Sequence, residues 1–186
     1  VINGTTAESP CLHENEVAEI FETVKEVSKG MVPLIVGTGS NSTEKTIANT
    51  RQAQEMGADA ALVVVPYYNK PTQQGLYLHF KAIAESSTLP LILYNVPGRT
   101  ITSLEPETVA RLSEVKSIIG IKEATGNMEI EKKIISSTPT EFIMLSGDDG
   151  TYAEFLKNKG HGVISVITHV IPDIFVALTN AAKKGQ

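Results

Sequence analysis

The sequence predicts an α/β fold of the TIM (β/α)8 type, present as an incomplete barrel. Three observations predict it. Short apolar runs alternate with amphipathic helical stretches along all 186 residues. The runs are apolar throughout, as in Ala61-Leu62-Val63-Val64-Val65, which marks strands buried on both faces. Polar and glycine-rich clusters follow nearly every strand. Strict βα alternation implies a parallel sheet with right-handed crossovers. In a doubly wound sheet a site sits only at the switch point, whereas in a barrel every strand delivers its carboxyl end to the active face.

The elements run as follows. Val1–Asn3 reads as a possible strand end. Glu14–Ser28 is helical, with Val17, Ile20, Phe21, Val24 and Val27 on one stripe, acids early and Lys29-Gly30 at the stop. A strand at Pro33–Val36 leads to a helix at Thr43–Met56 that Gly57 ends. Strand Ala60–Val65 precedes helix Gln73–Ser86, and strand Leu91–Tyr94 precedes helix Pro106–Val115, whose proline suits a first turn. Strand Ile118–Ile121, helix Met128–Ser136, strand Phe142–Leu145 and helix Tyr152–Lys159 continue the pattern. A strand at Gly162–Val166 and a helix from Pro172 to about Lys184 close it. No low-complexity linker interrupts the chain, so residues 1–186 read as one domain. These are six full strands where a barrel needs eight. The chain is either an incomplete piece or an open sheet, and the placement of the polar clusters favours the incomplete barrel.

Composition excludes several classes. Net charge is −5 with mixed signs and no basic stripe, which argues against nucleic acid. No apolar run approaches the roughly 20 residues of a membrane span. No signal peptide is visible, and the opening Val1-Ile2-Asn3 leaves an upstream one open. The single cysteine, Cys11, excludes an internal disulfide and fits a reducing, cytoplasmic setting. Metal chemistry is not expected. His13, His79, His161 and His169 have no ligand-like spacing, and Asp148-Asp149 suits a cap for the helix at Tyr152 better than a Mg²⁺ site.

Lys122 carries the chemistry. It ends the apolar run Ile118-Ile119-Gly120-Ile121, and burial there lowers a lysine toward its neutral, nucleophilic form. A neutral amine attacks carbonyls to form a Schiff base. Tyr94 ends another strand, where a phenol can relay protons. Arg99 follows in a Pro-Gly loop, and its fork matches a carboxylate. Gly4-Thr5-Thr6 offers backbone N–H groups and hydroxyls to an anion. Gly37-Thr38-Gly39 is too short for a phosphate loop and lacks a Walker lysine. Taken singly, Lys122 reads as a strand-end lysine reaching water, Tyr94 as a core-edge tyrosine and Arg99 as a surface charge. The combination favours chemistry.

Five motifs in this order resemble the dihydrodipicolinate synthase family across essentially the whole chain. They are Gly4–Ser9, Pro66-Tyr67-Tyr68-Asn69-Lys70-Pro71, Tyr94-Asn95-Val96-Pro97-Gly98-Arg99-Thr100, Ile119–Gly126 and Leu145-Ser146-Gly147-Asp148-Asp149. The resemblance implies a class I aldolase mechanism on a TIM barrel, without cofactor. Lys122 forms the imine with pyruvate. Tyr94 relays protons with Thr5 and with Tyr68, which reaches a neighbouring subunit's site. Thr5 and Thr6 hold the pyruvate carboxylate, and Arg99 meets the carboxylate of L-aspartate 4-semialdehyde. Gly147 and the backbone of Ile164 line the pocket near Lys122. The assembly implied is a homotetramer, a dimer of dimers. Ser9, Asn41 and Tyr67 fit the family's effector site for lysine. There Glu14 replaces a common histidine and Lys45 a common acid, which predicts weak lysine inhibition.

The family's first strand and helix, most of its second strand and its C-terminal helical region have no counterpart here, so the natural protein is expected to be longer at both ends. Ala7 stands where the family usually has glycine, with little effect expected unless that backbone needs φ > 0. The nearest rival is a sister class I aldolase, such as an N-acetylneuraminate lyase or a 2-keto-3-deoxy sugar acid aldolase. Tyr68 and Arg99 discriminate, because a sugar-acid pocket has less need of a cation at Arg99. A non-catalytic binding domain on the same barrel would keep the apolar pattern but has no reason to keep Lys122, Tyr94, Thr5, Tyr68 and Arg99 together.

Overall fold

The computed structural model describes residues 1–185. Six parallel strands pair in chain order: β1 Ile35–Gly37, β2 Ala60–Val64, β3 Leu91–Asn95, β4 Ile118–Glu123, β5 Ile143–Ser146 and β6 Gly162–Val163. A helix follows each strand, as right-handed crossovers require. Before β1 stand two 3-10 turns, Thr5–Ala7 and Ser9–Cys11, and α1 Glu14–Ser28. Next come α2 Thr43–Met56, α3 Gln73–Ser86, the short α4 Pro97–Thr100, α5 Pro106–Ser113, α6 Met128–Ser137, α7 Tyr152–Lys157 and α8 Pro172–Lys183. The architecture is a partial (β/α)8 barrel whose sheet ends at β1 and β6.

Two apolar layers follow from the strand period of two. Ala61, Val63, Leu91, Leu93 and Ile121 face the helices and pack on Phe21, Phe80, Ile83, Leu112 and Phe155. Ala60, Leu62, Ile92, Tyr94 and Val96 face the other way, with Ile35, Val64, Leu145 and Ile164 against them. That second layer is the barrel interior. Val1–Asn3 is a strand end, as expected: Ile2 forms one parallel bridge to Val36 on the free edge of β1. Its N–H donates to Ile35 O at 2.7 Å, and Gly37 N donates to Ile2 O at 2.8 Å.

Helix boundaries follow their caps. Ser42 accepts from Lys45 N, and Gly57 stops α2 with φ 88. Thr72 accepts from Gly75 N ahead of α3, and Asn127 accepts from Glu129 N and Ile130 N ahead of α6. Several expected bounds shift by one or two residues, among them β4, which runs on to Glu123, and the helices ending at Ser113 and Lys157 rather than Val115 and Lys159. Three differences have a plain physical reason. The first strand begins at Ile35, not Pro33, because proline has no N–H to give a ladder. The last strand stops at Val163, not Val166, because the Asp149 carboxylate takes the Val166 and Ile167 N–H groups at 3.1 and 3.0 Å. The Pro97-Gly98-Arg99-Thr100 loop is a helical turn, α4. Among the described residues no helix is long and apolar enough to cross a membrane.

Candidate active site

Lys122 owes its position to a register shift. Leu91 pairs with Ile118, but Ile92 pairs with Gly120, so Ile119 is one residue extra. Ile118 and Ile121 both face the helices, which strict alternation forbids at that spacing. The extra residue inverts the phase, and Lys122 thereby turns into the barrel interior. Gly120 marks the shift, since a Cβ there would lie 2.7 Å from Ile143 Cβ. Tyr94, Lys122 and Leu145 are then register partners across β3, β4 and β5 and share one face.

Lys122 is 8% exposed. Burial lowers its amine to about 8, against an upward pull from Asp149. Its Nζ lies 4.2 Å from the centroid of the Tyr94 ring, a cation–π distance. Tyr94 is itself buried. Burial raises its phenol, opposed by a hydrogen bond with the Thr5 side chain and by the Arg99 charge. The phenol therefore keeps its proton at neutral pH and can donate it. Gly147 has to be glycine for Lys122 to fit. A Cβ there would lie 2.6 Å from Ala124 Cβ and 2.8 Å from Lys122 Cε. Ile164 packs beside Leu145 in the interior, its N–H donated to Ser146 O at 2.9 Å.

Tyr94 also lines a cavity of about 360 Å³ with Thr5 and Arg99. Lys122 is outside its walls, against the Tyr94 ring. The structure thus joins the predicted residues in two groups that share Tyr94. Thr6 is exposed beside Thr5 in the first 3-10 turn and does not line the cavity. Ala7 has no positive φ, which falls instead on Glu8 at 55°, so its side chain costs no backbone strain. Tyr68 stands apart. It is 85% exposed, with φ 73, and Asn69 N donates to Tyr67 O at 2.9 Å across it. This positive-φ γ-turn is a strained conformation that directs Tyr68 away from its own chain.

Ser9 and Tyr67 line the same cavity, and so do Glu14 and Lys45. Asn41 does not; its amide donates to Asn69 Oδ1 at 3.1 Å and its carbonyl accepts from Asn69 Nδ2 at 2.7 Å. Asp148 serves the turn into α7, accepting from Thr151 N and Oγ1 at 2.9 and 2.7 Å. Among the described residues no group of three or more His, Cys, Asp or Glu could hold a metal ion.

Sequence reasoning missed three side chains. Asp149 joins the loops after β5 and β6; burial raises its carboxyl, but hydrogen bonds from Ser165, Ile167 and Val166 and the Lys122 charge bring it lower. Asn95 and Glu123 form a buried pair behind Tyr94 and Lys122. The signal for the pair was two polar residues directly after Tyr94 and Lys122, in strands otherwise apolar.

Comparisons with known proteins agree with this fold. Residues 1–186 match the Dihydrodipicolinate synthetase family. A 4-hydroxy-tetrahydrodipicolinate synthase of Bdellovibrio bacteriovorus is 62% identical over 172 residues, covering 92% of this chain and 59% of that protein. One from Bacillus velezensis is 53% identical over 187 residues, covering 100% of this chain and 64% of that protein. The crystal structure of the dihydrodipicolinate synthase from Thermotoga maritima superposes with a TM-score of 0.97 at 43% identity, over 98% of this chain and 63% of that one. The Acinetobacter baumannii enzyme, solved in complex with pyruvate, gives a TM-score of 0.95 at 44% identity, over 98% of this chain and 62% of that one. The chain thus spans 59 to 64% of the length of these two sequence relatives.

Proposed function

The chain belongs to the dihydrodipicolinate synthetase family, and from that premise we propose that it works as a 4-hydroxy-tetrahydrodipicolinate synthase, a Schiff-base-forming lyase of the class I aldolase type. It condenses pyruvate with L-aspartate 4-semialdehyde in the diaminopimelate route of lysine biosynthesis. The observation that carries this reading is Lys122: buried, lowered to about 8, with its Nζ 4.2 Å from the Tyr94 ring.

The chemistry follows from that pair. The neutral Nζ adds to the C2 carbonyl of pyruvate, and loss of water leaves the imine. The imine draws electrons from C3, which gives up a proton and becomes the enamine carbon. That carbon attacks the aldehyde of the semialdehyde, forming a C–C bond while the aldehyde oxygen takes a proton. The amine of the joined acceptor then adds to C2 and displaces Nζ, which closes the ring and frees the lysine. Tyr94 relays the protons, with Thr5 beside it in the cavity wall. Thr5 and Thr6 hold the pyruvate carboxylate, and Arg99 the carboxylate of the acceptor. Gly147 leaves room for the Lys122 stem, and Ile164 closes the interior beside it.

Tyr68 completes the relay from a neighbouring subunit. Its exposure and strained turn support that role, because the side chain contributes nothing to its own cavity. The same reading makes the enzyme a cytoplasmic homotetramer, a dimer of dimers. Ser9, Tyr67 and, after a turn of its side chain, Asn41 make the effector site.

Borohydride reduction with pyruvate, followed by mass spectrometry, tests the proposal on the natural protein. The adduct is expected on the peptide containing Lys122 and is expected to vanish in Lys122→Ala. Trapping on another lysine would defeat the assignment, and robust cleavage of N-acetylneuraminate would move the enzyme to the sister class.

A further inference from the structure

Asn95 and Glu123 directly follow Tyr94 and Lys122, and the reaction proposed above gives them no role. Both are fully buried, and they are register partners across β3 and β4, as Tyr94 and Lys122 are. Alternation turns them to the helix-facing side, behind the reactive pair. Asn95 Nδ2 donates to Glu123 Oε2 at 2.8 Å. The other polar atoms are also engaged. Asn95 Oδ1 accepts from Leu104 N at 2.9 Å, and Glu123 Oε1 accepts from Thr125 N at 2.7 Å. The backbones of the same two residues accept from Ala124 N at 2.9 Å and Gly147 N at 2.7 Å.

Packing alone does not call for such a pair. Two apolar side chains would fill the space without the desolvation cost of a carboxylate. Burial indeed raises the Glu123 carboxyl, against hydrogen bonds from Asn95 and Thr125. What the pair adds is direction. An amide–carboxylate bond has one good geometry, and here it fixes β3 against β4 at the position next to the reactive pair. β4 needs such a fixed point, because its register slips by one residue just upstream, at Ile119.

We propose that Asn95 and Glu123 are positioning residues, whose bond sets the Lys122 amine against the Tyr94 ring. The proposal rests on Lys122 being the Schiff-base lysine.

A reciprocal exchange tests it on the natural protein. Asn95→Asp sets two carboxylates face to face, and Glu123→Gln sets two NH₂ groups face to face. The double variant rebuilds the pair's own bond with donor and acceptor exchanged, while the oxygens that take Leu104 N and Thr125 N stay acceptors. Ser103 Oγ, which accepts from Asn95 Nδ2 at 3.2 Å, donates to the new carboxylate instead. The readouts are the rate of reductive trapping of pyruvate on Lys122, its pH profile and the melting temperature. Each single variant is expected to slow trapping by ~10- to 100-fold, the scale of a small misplacement of reacting groups. The half-saturating pyruvate concentration is expected to change less than ~3-fold, since ground-state contacts remain. The pH midpoint of trapping moves in the single variants, and the double variant recovers rate and midpoint. Should Asn95→Asp not fold, Glu123→Gln and the double variant carry the comparison. Single variants that melt earlier but trap at the wild-type rate would reduce the pair to a structural role. So would a double variant no faster than Glu123→Gln. Wild-type trapping on a different lysine would overturn the Schiff-base reading itself, and the pair's role with it.

Discussion

At the residue scale, two titrating side chains make opposite statements about burial. Lys122 is lowered because burial disfavours its cation. Only the neutral amine adds to a carbonyl, so the trapping rate is expected to climb about tenfold per pH unit below pH 8 and to level off above it. Reductive trapping of pyruvate between pH 5.5 and 9.5 measures the midpoint; a midpoint near 10.5, the ordinary lysine value, would remove burial as the cause. Glu131 is raised for the same physical reason. It is fully buried, neither carboxylate oxygen has a partner among the described residues, and Glu123, Asp148 and Glu154 add repulsion, which together push it up to about 7. An unfolded glutamate titrates near about 4.3. Between those two values the folded chain holds a proton that the unfolded chain has lost. Stability therefore falls as pH rises from about 4.3 to about 7 and is flat above, a loss on the order of 3–4 kcal/mol. Glu131→Gln is expected to raise the melting temperature at pH 8 and leave it nearly unchanged at pH 4. An equal gain at both pH values would show that the charge is not responsible.

At the element scale, loops and register matter more than strand identity. Gly147→Ala pushes a methyl into Ala124 and the Lys122 stem. Trapping of pyruvate is expected to fall by ~10-fold or more, while the circular dichroism of the folded protein stays native. Undiminished trapping would show that β5 yields instead. Ile101 offers a change in the opposite direction. It is a β-branched residue at φ 66, ψ −40, and it is 67% exposed, so it stores backbone strain without packing for it. Ile101→Gly is expected to stabilise by about 1 kcal/mol, visible as a higher urea midpoint with an unchanged slope. A lower midpoint would mean that the side chain packs better than its exposure indicates. These positions also mark what the sequence could and could not tell. The strand β2 was legible because both its faces are apolar, and α2 because Thr43 opens its helical pattern and Gly57 ends it. The turn α4 was not, because four residues opening on proline and glycine carry no periodicity. The inverted phase of β4 was not legible either. Lys122 was found as a polar end to an apolar run, but which face it takes depends on one extra residue in a pairing that no local pattern encodes.

At the scale of the whole molecule, parallel order was readable from βα alternation and a strand end at Val1–Asn3 from its sequence, whereas the Ile2 bridge and the shared cavity were not. That cavity gathers residues 3 to 17, 36 to 56, 62 to 67 and 94 to 100 from separate elements, and only the folded sheet brings them together. Val166, Val170, Ile174 and Val176 present exposed apolar surface near α8. Expressed alone, these 186 residues are expected to self-associate through that surface and the strand edges, as sedimentation over a concentration series would show. A concentration-independent monomer would count against it. On the reading proposed above, the cavity also sets the expected response to an amino-acid effector. Its wall holds Ser9 and Tyr67, which suit the polar ends of lysine, but it also holds Lys45 and Glu14. A bound lysine brings two ammonium groups and one carboxylate. Lys45 repels an ammonium where an acid would attract it, and Glu14 repels the carboxylate. Water screens part of this, because both side chains are exposed. The natural enzyme is therefore expected to be weakly inhibited by L-lysine or not at all. Lys45→Glu restores the attracting sign at one position and is expected to increase inhibition, by roughly the 5- to 10-fold that ~1 kcal/mol of charge reversal gives. Activity titrations with L-lysine at fixed pyruvate measure both forms. Strong inhibition of the unmodified enzyme at micromolar lysine would show that the wall charges do not govern the site, and an unresponsive Lys45→Glu variant would show that Lys45 does not meet the ligand.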